Sequence, residues 1–156
     1  MSKSLDIARA VDHLVHDDLD DPFVLPQARL YVLSLDGPEV QFEVLDEDEN
    51  PYRLLMRTRH HPPVRAGCLV VTGWCAPLPQ ETRNETDDEV AHRHHGLRPS
   101  EHPQRQRVRV SVAVTEEGIA SVMRQSNEPH MVRDVPTRGA GDLPDVLESW
   151  WLGTLK

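Results

Sequence analysis

Aromatic residues are scarce in this chain of 156 residues, which has three Trp, two Tyr and two Phe. A core built from it must therefore be aliphatic, mainly Val and Leu. Cysteine is scarcer still: only Cys68 and Cys75, seven residues apart in one apolar stretch. On a regular strand at that spacing they point to opposite faces and lie too far apart to bond. Two buried, reduced thiols in a reducing compartment are expected. Lysine is almost missing, with Lys3 and Lys156 against 15 arginines, an imbalance read as genome composition. No run approaches the ~20 apolar residues that a membrane helix needs. The opening MSKSLDIARAVDHLVHDD carries acids and lacks the apolar core of a signal peptide. These absences point to a soluble, cytoplasmic protein without a membrane partner. HExxH, GxSxG, P-loop, GxGxxG and zinc-ribbon spacings are all missing as well, which removes the commonest routes to an enzymatic assignment.

Charge and apolar residues are what the chain does have. It is 38% hydrophobic and 28% charged, with a net charge of −9. Nonspecific nucleic-acid binding is not expected, because phosphate backbones are read by clustered Lys and Arg. The length suits one domain over 1–156, which at this size buries roughly 70% of its unfolded surface.

Residues 4–16 space Leu5, Ala8, Val11, Leu14 and Val15 as a helix, with Ser4 as a candidate cap and Asp6 in its first turn. RLYVLSL (29–35) and VQFEVL (40–45) flank DGPE (36–39) and predict a hairpin, followed by a turn in DEDEN (46–50). PYRLLMRTR (51–59) fits a strand by its alternation and a helix by its leading Pro51. As a helix, it gives an element order that resembles a profilin-type or PAS-like sheet; as a strand, it would allow a small barrel of the flavin-binding split-barrel kind. CLVVTGWCAPL (68–78) reads as a central strand that Gly73 interrupts. Residues 79–105 lack apolar periodicity and predict a long polar loop, which inside a domain is usually functional or disordered. RVRVSVAVT (107–115) puts Val108, Val110, Val112 and Val114 inward and Arg107, Arg109, Ser111 and Ala113 outward, and IASVMRQ (119–125) completes a second hairpin. DLPDVLESWWLG (142–153) predicts a helix capped by Asp142 and ended by Gly153. The fold class is α+β: a mainly antiparallel sheet of five to six strands, with two hairpins, packed by an N-terminal and a C-terminal helix.

Three places carry candidate chemistry. His92, His94 and His102, with Glu101 nearby, could supply zinc ligands. That set is confined to one proline-punctuated loop that a metal would have to order, so a hydrated loop is the simpler reading. Arg105, Arg107 and Arg109 alternate and share one face, and their forks suit an anion such as a carboxylate or phosphate on a partner. The plainer alternative is a solvated sheet face, or pairing with the loop's own acids. No aromatic residue lies among these arginines in sequence, so a stacking platform for single-stranded nucleic acid is not expected. Gly73 and Trp74 could line a ligand pocket, against the alternative of a bulge that fits the indole. His13 and His16 read as a polar helix flank rather than a ligand pair, and the two cysteines sit in apolar sequence that raises a thiol's pKa.

No catalytic constellation is complete, and no catalytic residue is assigned. The sequence therefore leans towards a non-enzymatic protein, without a cofactor, acting through interaction surfaces as a homodimer or by docking a protein partner. A small-ligand or flavin-type binding domain with its pocket at Gly73 and Trp74 is the second reading. A zinc-dependent enzyme built on the His92–His102 loop is the third.

Overall fold

The computed structural model describes residues 3–19, 23–25, 27–34, 41–61, 63–75, 103, 105–135 and 142–155. Three described helices are α1 (Lys3–Asp18), α2 (Pro51–Arg57) and α3 (Leu143–Leu152). The strands are β1 (Ala28–Ser34), β2 (Phe42–Asp48), β3 (Val64–Cys75), β4 (Gln106–Thr115), β5 (Gly118–Gln125) and β6 (Val132–Val135). They form one sheet in the order β2-β1-β3-β4-β5-β6, with every neighbouring pair antiparallel. The α+β class, the hairpin pairs β1–β2 and β4–β5, and the packing of both terminal helices on the sheet are as the sequence predicts.

The sheet is covered on both faces. On one, Ala8, Val11 and Val15 of α1 pack on Tyr31, Cys68, Val70, Ala113 and Val122. On the other, Leu54 and Leu55 of α2 and Leu147 and Trp150 of α3 pack on Leu30, Val32, Leu69, Val112 and Val114. The alternation along β1, β3 and β4 thus sends side chains into two separate cores, as expected for a sheet between helix layers. This corrects the reading of β4 as having one inward face. Arg109, Ser111 and Ala113, expected to face solvent, are fully buried beneath α1.

Residues 51–57 settle as a helix. The Asn50 side chain accepts from the amides of Tyr52 and Arg53, and Pro51 occupies the first helical position. Leu54 and Leu55 are both fully buried, which consecutive residues achieve on one broad helix face but not on one face of a strand. The acids expected to form a turn at 46–50 instead carry β2 through Asp48. Arg57 donates to Asp46, and Arg53 grips Asp48 with the Nε and Nη2 groups of one guanidinium edge, so two carboxylates on an edge strand are neutralised by the next helix. These bonds hold the Asp48 carboxyl well below the usual carboxylate range, Arg53 first among the causes.

Two cap assignments change. Ser4 lies inside α1 and is buried; its hydroxyl donates to the Gly118 carbonyl and shares a 2.8 Å hydrogen bond with Thr115, which docks the helix start on the β4–β5 turn. Asp142 is at the N-cap position of α3, but its carboxylate accepts from the Tyr52 hydroxyl at 2.6 Å rather than capping an amide. Gly153 ends α3 as expected, in the left-handed conformation (φ 73°), with Thr154 N–H donating to Ser149. No helix among the described residues is long and apolar enough to cross a membrane.

Candidate functional site

β4 and the residue just before it carry a graded row of arginines. Arg109, innermost, is fully buried, Arg107 is half-buried and Arg105 is exposed. Their environments differ as much as their exposure.

Arg109 belongs to a buried ion triad. Asp12, on the inward stripe of α1, is fully buried; its Oδ1 accepts from Arg109 Nη2 at 2.8 Å and its Oδ2 from Arg124 Nη2 at 2.7 Å. Both Nε groups donate to the same carboxylate, Arg109 at 3.1 Å and Arg124 at 3.0 Å. Arg109 and Arg124 are direct cross-strand partners, so Asp12 is what lets two like charges sit side by side. Arg124 also donates to the Pro129 carbonyl at 2.6 Å, and Phe23 lies 5.8 Å from the Arg109 guanidinium carbon. Burial presses the Arg109 guanidinium below its ordinary value, while Asp12 pulls it back. The triad pins α1 to β4 and β5, and Arg109 is sequestered from the docking role that its sequence position suggested.

Trp74 organises the outer two. It is the cross-strand partner of Arg107, and the guanidinium carbons of Arg107 and Arg105 lie 4.4 and 5.0 Å from its indole centroid. Both distances are within the range of cation–π attraction. The aromatic residue missing from the arginine segment in sequence is thus supplied by the neighbouring strand. Gly73 makes no bulge: β3 and β4 stay in unbroken register from Gly67–Val114 to Cys75–Gln106, and a Cβ built on Gly73 meets nothing within 4 Å. Thr72 and Val71, not Gly73 and Trp74, line a small cavity of about 350 Å³ with Leu25, Ala28, Glu49 and Pro51.

His92, His94 and His102, the candidate zinc ligands of the polar loop, lie outside the described residues. Among the described residues no group of three or more His, Cys, Asp or Glu is placed to hold a metal ion. His13 and His16 sit beside the triad, where Arg124 Nη2 lies 3.3 Å from His13 Nδ1, a setting that repels a cation. Cys68 is a free, buried thiol whose pKa is pushed up by burial and then by Asp12, which makes it inert as a nucleophile.

Comparison with protein-family models, with curated proteins and with solved structures finds no match for this chain. The geometry alone therefore carries the functional reading.

His16 gives the site a pH dependence. Its Nδ1 is buried with no hydrogen-bond partner among the described residues, and its ring meets Phe23 edge-on at 6.0 Å. Burial lowers its pKa; Arg124 and Arg109 add repulsion, and Asp12 and Asp17 oppose them. A folded-state pKa below the unfolded value means that the unfolded chain binds the proton more readily. The neutral ring costs nothing above an unfolded pKa of about 6.5, and stability is lost as pH falls below it. His16→Gln should therefore flatten the fall in urea midpoint between pH 7 and 5 relative to the wild type. Parallel curves for the two proteins would show that His16 is not a source of that slope.

Proposed function

We propose that the protein acts by docking a partner, and that the docking point is the corner formed by Trp74, Arg105 and Arg107. The observation behind this is the stacking of two guanidinium groups on one indole at the end of the sheet. Stacking restrains the long arginine side chains and lets the N–H edge of a fork donate to a planar anion. Ordering them beforehand reduces the entropy that a partner would otherwise have to offset. The partner chemistry that fits is a carboxylate-bearing segment of a protein, including an acidic segment of a second copy of this chain.

The charge of −9 sets the manner of binding. At long range it repels an acidic partner, so the attraction is local and association is not electrostatically steered. Self-association through the β6 edge is disfavoured. In a face-preserving antiparallel pairing about a two-fold axis, directly opposed residues share a face. The VRDV edge then sets Arg133 or Asp134 against its own copy, like charge on like.

Titration calorimetry with a glutamate-rich peptide tests the reading. The wild type should bind in a salt-sensitive manner, and Arg107→Ala should weaken binding about tenfold, the usual worth of one charge-assisted hydrogen bond. Its melting temperature should hold, because the triad is untouched. Equal binding by the wild type and by a Trp74→Ala/Arg107→Ala variant would sink the proposal. Sedimentation of the same proteins at rising concentration separates a second copy from a foreign partner.

A further inference from the structure

The two ends of α1 are held to the sheet by different chemistry. In the first turn the Ser4 hydroxyl meets Thr115 at 2.8 Å and donates to the Gly118 carbonyl at 2.7 Å, and none of these groups titrates near neutrality. In the last turn Val15 is fully buried, and the next ring, His16, meets Phe23 edge-on at 6.0 Å. Phe23 is itself buried and lies 5.8 Å from the Arg109 guanidinium carbon. Phe23 thus links a titratable ring to the buried triad.

Some surroundings favour a proton on His16. It stands in the last turn of a helix, where carbonyl dipoles attract a cation, and Asp12 and Asp17 are anions on the same helix. The opposing influences are stronger. Nδ1 is buried with no hydrogen-bond partner among the described residues, so an N–H there would be orphaned. α1 packs on β3, β4 and β5. β4 presents Arg109 and β5 presents Arg124, two cations that already share the Asp12 carboxylate. β3 presents the Cys68 thiol, which burial keeps protonated. Phe23 offers only its ring. His13 Nδ1 is 3.3 Å from Arg124 Nη2 and must be the acceptor, because a guanidinium only donates; a proton at that atom would remove the contact.

We infer that the last turn of α1, residues 15–18, is an acid-opened cover. A proton on His16 lifts this turn from Phe23 and the sheet and lets water reach Arg109 and Asp12, while the triad and Ser4 keep the rest of the helix docked. Opening returns the ring to its ordinary value of about 6.5, so the open turn takes up a proton that the closed turn resists. Opening is therefore rare above that value and favoured as pH falls below it, by at most about tenfold per pH unit for one histidine. The inference is independent of the partner proposed for the Trp74 corner.

Amide exchange followed residue by residue by NMR tests it on the full chain, each rate divided by that of an unstructured chain at the same pH. Between pH 7.5 and 5, the amides of residues 16–19 should lose protection by up to about thirtyfold, the limit for one histidine with an ordinary value of about 6.5. The loss should be nearly independent of low concentrations of urea, as local opening is, whereas the most protected amides of β4 should respond steeply. His16→Gln should keep residues 16–19 at the closed level at both pH values. Phe23→Ala, which removes the ring that His16 meets, should show raised exchange already at pH 7.5 and a smaller response to acid. Unchanged protection at pH 5, a urea dependence at residues 16–19 equal to that of β4, or a full acid response in either variant would overturn the inference.

Discussion

Replacing Asp12 with asparagine should cost about 3–5 kcal/mol, the usual penalty for stranding a buried charge by removing its partner. Here two charges are stranded. Arg109 and Arg124 are buried and cross-strand neighbours, and each donates twice to the Asp12 carboxylate. An asparagine carbonyl would accept some of these bonds, but it would leave two guanidiniums facing each other with no charge between them. Against a typical stability of about 5–15 kcal/mol, the variant should be marginal at physiological temperature. Its urea midpoint should drop, with an unchanged slope if unfolding stays two-state. A loss below about 1 kcal/mol, the worth of an exposed pair, would show that water reaches the triad and that it is not the clamp described. The companion variant Asp12→Leu/Arg109→Met/Arg124→Met separates charge from packing. With the whole triad replaced by apolar groups, stability should recover most of the loss or exceed the wild type.

The triad was partly legible in the sequence. Asp12 follows Ala8 by four residues and sits among Val11 and Val15, on the stripe that faces the sheet. An acid on the buried stripe of an amphipathic helix requires a buried partner. Arg109 and Arg124 offered one, each alternating with apolar or small residues in its strand. The four valines of β4 form so clear a face that the sequence alone assigns the other to solvent. Only a sheet covered on both faces puts Arg109 inside. Trp74 illustrates a different limit. It is more than thirty positions from Arg107 in sequence, and only the β3–β4 register makes them neighbours.

The elements divide on similar lines. α1, β1, β4, β5 and α3 each carry a period long enough to read locally. The 51–59 segment offered both periods; the deciding signs were Asn50 before Pro51 as cap and first position, and the adjacent pair Leu54–Leu55. β6 went unread because it has four residues, two of them charged, and its pairing with Ser121–Arg124 of β5 is a tertiary property. β2 runs three residues further than its hydrophobic pattern, to Asp48, because Arg53 and Arg57 neutralise its terminal acids.

Trp150 and Gly67 should show an interaction that a list of contacts would not foretell. Trp150 is fully buried: its indole N–H donates to the Thr58 carbonyl and hydroxyl, both at 3.1 Å, and its ring stacks on His61 with centroids 3.8 Å apart. The ring lies directly over Gly67, where an added Cβ would come within 2.7 Å of Trp150 Cζ3. Gly67 is therefore glycine for close approach, not for a special backbone angle. Trp150→Ala should cost about 3–5 kcal/mol, as expected for a large buried aromatic. Gly67→Ala should cost about 1–3 kcal/mol by overpacking, because the indole is held on three sides and cannot retreat. In combination the costs should not add. With the indole gone, the methyl added by Gly67→Ala enters part of the space it leaves, and alanine also restricts the unfolded chain more than glycine does. Gly67→Ala should then be neutral or stabilising in the Trp150→Ala background, a coupling of about 1–3 kcal/mol. Urea unfolding of the four proteins in one buffer measures it directly. Additive costs would mean that the strand or α3 shifts to make room, and that the contact between Gly67 and Trp150 does not set the spacing between α3 and the sheet.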